Sequence, residues 1–208
     1  ITMSKATQTD AMGSIQRGVK RALDFVMSAL GLILLSPIFV IISVLMKCQG
    51  NGPIFFRQAR IGYKGKPFVI LKFRTISNKT ESNIPQLTSK TNYKNSTPFE
   101  QFLREHHLDE LPQLWNVLVG DMSLVGPRPE RKYFIDKIME HTDLYPIIYN
   151  MRPGLTSEAT LYNGYTDTME KMLKRLQMDI SYFERRSLWL DFKIIIKTFV
   201  NIVSGNKF

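Results

Sequence analysis

Two adjacent carboxylates and a stiff arginine loop form the stretch of this chain that is best equipped for chemistry. The carboxylates are Asp109 and Glu110, and the loop is Gly126-Pro127-Arg128-Pro129. Carboxylates that can hold a metal ion, together with an arginine, are the groups that neutralise phosphate charge in phosphoryl transfer. Adjacent acids are also common at helix N-termini, where they cap free N–H groups. The dipeptide alone leaves both interpretations open, and the arginine loop favours the catalytic one.

The residues that follow the dyad predict a short helix with Asp109 at its N-cap. Pro112 would then fall in the first turn, where the N–H it lacks has no helical partner anyway. Gln113 and Asn116 would share a face with Asp109. The packed face would consist of Leu111, Leu114, Trp115 and Leu118. Such a helix would place the carboxylates at an N-terminus, where the helix dipole and free N–H groups favour phosphate.

Basic residues elsewhere could also contact phosphate. Lys72 and Arg74 close a predicted strand and would point to the same face. Two cations there suit a diphosphate, but a solvated basic edge strand is an equal alternative. Arg60 precedes this strand. Arg152 lies in a rigid Arg-Pro-Gly turn, which is either a phosphate contact or a surface turn.

In these residues the chain resembles the bacterial sugar transferase family, the monotopic phosphoglycosyl transferases. The Asp-Glu dyad and the Gly-Pro-Arg-Pro loop carry the resemblance most directly. Further signatures follow the family's order: Ser36-Pro37, Lys72-Phe73-Arg74-Thr75, Arg152-Pro153-Gly154-Leu155-Thr156 and Trp189-Leu190-Asp191-Phe192-Lys193. The similarity covers nearly the whole chain, from Arg17 to Val203. Glu158 departs from it, because the family usually has an aromatic residue there, and a family role for that loop is therefore in question.

The resemblance implies an enzyme that initiates surface glycan assembly. It would transfer a sugar 1-phosphate from a UDP-sugar to a polyprenyl (undecaprenyl) phosphate and release UMP. Asp109 would be the nucleophile that forms an aspartyl-phosphosugar intermediate. Glu110 would orient or activate it, or help to hold Mg²⁺, so that both carboxylates are expected metal ligands. The expected phosphate contacts are Arg128, Arg152, Lys72, Arg74 and Arg60.

An apolar run from Phe25 to Met46 is long enough to span a bilayer. Ser36-Pro37 interrupts it, because proline removes the hydrogen bond to the Ile33 carbonyl and kinks the helix. The Ser36 hydroxyl can satisfy that carbonyl. Basic residues flank the run on both sides, and a re-entrant hairpin keeps both flanks inside the cell. We therefore predict a re-entrant membrane helix, with an ordinary kinked transmembrane helix as the alternative.

Composition narrows the choice of partner. The 208 residues carry a formal net charge of +10, which indicates an anionic partner. Nucleic acid and an anionic membrane both qualify, but no zinc-finger, RNA-recognition or recognition-helix pattern is visible, and the apolar run favours the membrane. The single cysteine, Cys48, excludes an intrachain disulfide and fits a reducing cytoplasmic compartment.

The predicted architecture is a monotopic α/β protein, mostly helical with a small sheet, at the cytoplasmic face of the bacterial inner membrane. Residues 1–14 are interpreted as a tag remnant or disordered lead, 15–48 as the re-entrant helix and 49–208 as the cytoplasmic catalytic domain. The last helix of that domain either lies in the bilayer interface or packs on the core.

Local patterns predict the elements of the catalytic domain. Short strands are expected at 54–56 and 68–71, around a turn at Gly62–Pro67, and a polar surface loop is expected at 77–96. Helices are expected from 130 to about 145, from 168 to 183 and from 188 to 203.

Two functions from other classes stay open at this stage. One is a non-catalytic membrane-bound scaffold of glycan assembly, against which the intact dyad argues. The other is a membrane-attached nucleic-acid binder, which only the net charge suggests. The identity of the sugar and a homodimer also remain open.

Overall fold

The computed structural model describes residues 9–50, 52–75, 96–164 and 166–204. The first part of the predicted lead and nearly all of the predicted polar loop at 77–96 therefore lie outside the described residues. Two residues near the end of the lead are ordered. Met12 is 0% exposed, and Asp10 forms ion pairs with Arg17 and Arg186. The prediction of a disordered lead is wrong for these residues, because a long-range ion pair that local sequence does not reveal holds them.

The N-terminal part is a broken helix pair, α1 (Ser14–Leu34) and α2 (Ser36–Cys48), with a bend of 57° between the two axes. The Ser36 hydroxyl donates to the Ile33 carbonyl oxygen at 2.7 Å, which confirms the predicted compensation at the break. Pro37 lies in the first turn of α2, where proline is accommodated. No single described helix is long and apolar enough to cross a membrane. The two helices of the bent pair together have the length and the apolar composition of a membrane span.

One side of α1 attaches it to the rest of the molecule. Arg21 donates to the carbonyl oxygens of Val117 and Leu118 at 2.6 and 2.7 Å. The buried Asp24 accepts a hydrogen bond from the Leu124 N–H at 3.0 Å. The other side of the pair carries exposed apolar residues, which are Phe25, Val26, Met27, Leu30, Ile33, Leu34, Val40, Ile41 and Val44.

An antiparallel ribbon follows, formed by β1 (Phe55–Ile61) and β2 (Pro67–Phe73). Both strands are longer than predicted, and the predicted turn between them contains a short 3₁₀ helix, Tyr63–Gly65. The free edge of β2 is closed by Asn116, whose side chain accepts from the Leu71 N–H and donates to the Val69 carbonyl. This pairing explains why Asn116, a polar residue of the helix Gln113–Val119, is buried.

The dyad segment comes next. Helix α3 (Pro98–Glu105) starts at a capping box of Thr97 and Glu100. A 3₁₀ helix, Leu108–Glu110, precedes α4 (Gln113–Val119). Helix α4 ends at Gly120, whose φ of 97° is accessible to glycine at no steric cost.

Two short strands, β3 (Ser123–Val125) and β4 (Gly154–Thr156), pair in parallel and bring the arginine loop beside the Arg-Pro-Gly turn. Between them lie α5 (Lys132–Met139) and a 3₁₀ helix, Tyr145–Asn150. The predicted helix from residue 130 is therefore shorter than expected.

The C-terminal part consists of α6 (Glu158–Asn163), α7 (Met169–Arg185) and α8 (Leu188–Val203). Helices α7 and α8 confirm the predicted ones. In α8, Asp191 and Ile194 are buried, whereas the opposite side is exposed and carries Trp189, Phe192, Ile196 and Phe199. The described residues confirm a mostly helical α/β fold with small sheets.

Candidate active site

The dyad lies in a tight 3₁₀ turn, so the predicted N-cap position of Asp109 is wrong. His107, with a left-handed φ of 53°, precedes the turn, and α4 begins only after Pro112. The turn is closed by the Glu110 N–H, which donates to His107, and by the Leu111 N–H, which donates to Leu108. Proline has no N–H to continue this pattern, and the α-helix therefore starts after it. The predicted division into a packed apolar face and an opposite polar face is wrong for four residues, since Trp115 is exposed whereas Asp109, Gln113 and Asn116 are all buried.

Glu110 binds two cations of the site, one from the β-ribbon and one from the arginine loop. Its Oε1 accepts hydrogen bonds from Lys72 Nζ at 2.5 Å and from Arg128 Nη2 at 3.2 Å. Burial alone would raise the pKa of Glu110, but the charges of Lys72 and Arg128 outweigh it and hold that pKa well below its usual range. Glu110 is therefore ionised at neutral pH.

Asp109 has a different environment. Asp109 is only 7% exposed, and none of the described residues forms a hydrogen bond with its carboxylate. Burial raises the pKa of Asp109 to about 6; the charge of Lys72 acts against this rise and that of Glu110 adds to it. At neutral pH the group is still mostly a carboxylate, and a more basic one than an ordinary aspartate. Both of its oxygens are available to a ligand.

Two residues that the sequence interpretation did not assign lie near the dyad. The charge of Arg104, from α3, lowers the pKa of Asp109, and this arginine also donates to the Thr75 carbonyl. His107 is half-buried; burial lowers its pKa, and the charges of Glu110 and Arg128 act on it in opposite directions. The signal for Arg104 was its place at the end of a helix that leads directly into the dyad.

The arginine loop is held by a close backbone contact with the Arg-Pro-Gly turn. A Cβ at Gly126 would lie 2.3 Å from the Arg152 carbonyl oxygen, and one at Gly154 would lie 2.2 Å from the Gly126 nitrogen. The two glycines therefore allow the backbones to meet. The loop aims Arg128 at Glu110, and the Arg128 side chain remains 40% exposed, so that a ligand can still reach its guanidinium.

The other predicted phosphate contacts are held elsewhere. Arg60 lies behind the loop, where it donates to Gln58 Oε1 and to the Pro129 carbonyl; burial lowers its pKa to about 10. Arg74 covers Gly52, since a Cβ on that glycine would overlap the guanidinium. Arg152 donates to the Gly120 carbonyl at 2.9 Å and lies over the Tyr63 ring. Of the five cations predicted from the sequence, the structure pairs Lys72 and Arg128 with the dyad.

The sequence model of the bacterial sugar transferase family matches residues 15–205, and that range contains the whole site. The chain belongs to the bacterial sugar transferase family. This finding confirms the resemblance that the dyad and the arginine loop indicated.

Curated relatives of this chain carry specific names. It is 39% identical over 190 residues to a UDP-glucose:undecaprenyl-phosphate glucose-1-phosphate transferase of Escherichia coli K12, an alignment that covers 90% of this chain and 40% of that protein. A protein of the same name from Caulobacter vibrioides is 39% identical, with 89% of this chain and 70% of that protein covered. A UDP-N-acetylgalactosamine-undecaprenyl-phosphate N-acetylgalactosaminephosphotransferase of Aeromonas hydrophila is 34% identical, with 90% and 44% covered. The chain thus spans less than half of the Escherichia coli and Aeromonas proteins.

The donor set of the site fits magnesium. Among the described residues, no group of three or more histidine, cysteine or acidic side chains could hold a metal ion. Mg²⁺ is commonly bound through one or two carboxylates together with substrate phosphates and water. Asp109 and Glu110 provide such a pair in this chain, because Asp109 has free oxygens and Glu110 is ionised.

Proposed function

We propose that this chain transfers a sugar 1-phosphate from a UDP-sugar to a polyprenyl phosphate, with release of UMP, and thereby starts a surface glycan. The observation that carries the proposal is the buried Asp109 carboxylate, which has both oxygens free beside Lys72, Arg104 and Arg128. The names of the relatives support this reaction class and an undecaprenyl carrier.

In the first half-reaction an oxygen of Asp109 attacks the β-phosphorus of the UDP-sugar. A phosphorus–oxygen bond to Asp109 forms while the bond to the bridging oxygen breaks, and UMP leaves with that electron pair. A raised pKa makes Asp109 a stronger nucleophile than an exposed aspartate, while leaving it ionised at neutral pH. The product on the protein is an aspartyl-phosphosugar.

In the second half-reaction a phosphate oxygen of the polyprenyl phosphate attacks the same phosphorus. The bond to Asp109 breaks, and the carboxylate is regenerated with the electron pair. The lipid leaves as a polyprenyl diphosphosugar. One carboxylate can therefore serve both substrates in turn.

The cations prepare the site for the diphosphate. Two carboxylates would otherwise repel the substrate, since like charges at short range interact unfavourably in a buried environment. Arg128 is exposed enough to contact phosphate, and Lys72 keeps Glu110 ionised and in place. Asp109 and Glu110 would hold Mg²⁺, which when bound supplies further neutralisation of the diphosphate.

We also propose that the chain sits on the cytoplasmic face of the inner membrane. The bent pair of α1 and α2 would enter the bilayer and return, since its outward apolar side has no partner among the described residues and its flanks are basic. The exposed tryptophan and phenylalanines of α8 would lie in the interface. Cysteine-accessibility labelling should place residues near Arg17 on the same side as the site; labelling of Arg17 from the opposite side would contradict the re-entrant topology.

The test of the activity is a UMP-release screen over a panel of UDP-sugars, with undecaprenyl phosphate and Mg²⁺ present. At least one UDP-sugar should yield UMP together with a lipid-linked product. Absence of UMP with every donor would overturn the proposal. Salt-dependent retention on a nucleic-acid column under the same conditions would then favour a nucleic-acid binder.

A further inference from the structure

A cavity of about 280 Å³ lies between the broken helix pair and the β-ribbon. Its wall is lined by Leu32, Phe39, Phe55, Leu71, Pro112 and Trp115, with Arg57 as the charged member. This volume is close to the lower end of typical small-ligand pockets, about 300 Å³, and the predominance of apolar side chains is typical of them too.

The charged residue of the lining, Arg57, indicates what kind of ligand the cavity could bind. Arg57 is exposed and has no ion pair or hydrogen bond with any residue that the structure describes. It stands opposite Leu71 in the ribbon, and side chains of directly opposed residues share a face. An unpaired guanidinium beside an apolar wall suits a ligand that is apolar along its length and anionic at one end.

The position of the cavity links the membrane segment to the dyad. Leu32 and Phe39 stand on either side of the helix break at Ser36-Pro37. At the other end, Leu71 is the neighbour of Lys72, which pairs with Glu110, and Pro112 lies two residues after Glu110. The lining therefore runs from the break in the broken helix pair to the residues that position the dyad.

We propose that this cavity holds the first isoprene units of the lipid acceptor, with Arg57 near its phosphate, and that it is distinct from the place where the sugar nucleotide binds. The inference rests on the proposed function, because it locates the acceptor of that reaction. The isoprenoid chain would enter past Leu32 and Phe39 and present its phosphate toward the dyad.

The kinetic test uses a matched pair of substitutions on neighbouring residues. Leu32→Trp fills the cavity, whereas Ile33→Trp adds the same side chain at a position that is 68% exposed and outside the lining. Leu32→Trp should raise the KM for undecaprenyl phosphate by about tenfold, because the indole would occupy space that the isoprenoid chain needs. The KM for the UDP-sugar should stay unchanged, and Ile33→Trp should change neither. Equal acceptor KM values in the two variants would overturn the proposal.

A binding test works even if no UDP-sugar proves to be a substrate, so that its failure is distinguishable from failure of the proposed function. The chain has two tryptophans, and in a Trp189→Phe background Trp115 reports on the cavity alone. Farnesyl monophosphate added to detergent-solubilised protein should shift its emission to shorter wavelength as apolar chain replaces water. Farnesol should do so only at much higher concentration, and inorganic phosphate should leave the emission unchanged.

The role of the cation is tested in the same assay. Arg57→Glu should weaken farnesyl phosphate binding by about tenfold or more, because it places a like charge beside the phosphate, and should leave weak farnesol binding unchanged. Lys66→Glu is the control, since Lys66 is an exposed cation outside the lining. No emission shift with farnesyl phosphate would overturn the assignment. An equal shift with phosphatidylglycerol would overturn it as well, because the cavity would then be a general phospholipid site.

Discussion

Two buried charge clusters lie on either side of the arginine loop, and they are built from the same kinds of residue. In the first, Glu110 binds Lys72 and Arg128. In the second, Glu130 pairs with Arg60 and Arg175. Each cluster also has a nearby aspartate whose pKa is raised by burial, to about 6 for Asp109 and to about 7 for Asp179.

The clusters differ in what can reach them. Arg128 keeps 40% of its side chain exposed, whereas Arg175 keeps 7% and also donates to Thr166. The first cluster can therefore exchange its internal contacts for those of a phosphate ligand, and the second cannot. Arg60 joins them, because it holds both Glu130 and the Pro129 carbonyl of the loop. We therefore propose that the first cluster takes part in catalysis, whereas the second fixes the loop that aims Arg128.

The largest expected effect separates the two aspartates. Asp109→Asn should lower kcat by at least about a thousandfold, because an amide is a poor nucleophile and a poor metal ligand. Asp179→Asn should leave kcat nearly unchanged. UMP release at saturating donor and acceptor measures both. Comparable losses in the two variants would mean that Asp109 has no special chemical role.

The second prediction compares the two glutamates by stability. Glu130→Gln leaves the nearly inaccessible Arg175 without its counter-charge, and we expect a loss of about 3–5 kcal/mol in the free energy of unfolding. Glu110→Gln should be less destabilising, because Arg128 can turn to water, yet it should impair turnover strongly. Denaturant unfolding in detergent, together with UMP release, gives both quantities. Equal destabilisation by the two substitutions would remove the distinction between the clusters.

The third prediction concerns the metal. Removal of divalent cations with EDTA should abolish UMP release, and Mg²⁺ should restore it, because the diphosphate needs more neutralisation than Lys72 and Arg128 supply to a site with two carboxylates. The melting temperature of the ligand-free protein should change little. Undiminished activity in chelator would contradict the need for a divalent cation. It would mean that Lys72 and Arg128 alone neutralise the charge of the diphosphate.

The fourth prediction concerns the pH dependence of stability, and it involves Asp179 in the second cluster, that of Glu130. The pKa of Asp179 is raised from 3.8 to about 7 by burial, so the folded state binds a proton that the unfolded chain has lost. This group's contribution to stability is fully present below pH 3.8 and is lost as pH rises toward about 7. Asp179→Asn should remove that slope and stabilise the protein relative to the unsubstituted chain above pH 7. Parallel stability profiles of the two proteins from pH 4 to pH 8 would contradict the assignment.

Local signals were sufficient for much of the fold and for the centre of the site. Short-range patterns predicted three features: the helix break at proline, the amphipathic helix α8 and the adjacent Asp109-Glu110 pair. The contacts that were missed join distant parts of the chain. Glu130 meets Arg175, and Asp10 meets Arg186, only after the helices pack. The 3₁₀ turn at the dyad was also missed, because Pro112 permits either helical start.

The central claim, that Asp109 is a nucleophile, is tested most directly by a covalent adduct. Enzyme incubated with its UDP-sugar and Mg²⁺ but without lipid acceptor should release up to one UMP per chain, because the first half-reaction needs no acceptor. Intact-protein mass spectrometry should then show a phosphosugar adduct, and peptide mapping should place it on Asp109. Addition of polyprenyl phosphate should discharge it. Strict dependence of UMP release on the acceptor, with no adduct on any carboxylate, would contradict the account and indicate direct transfer in a ternary complex.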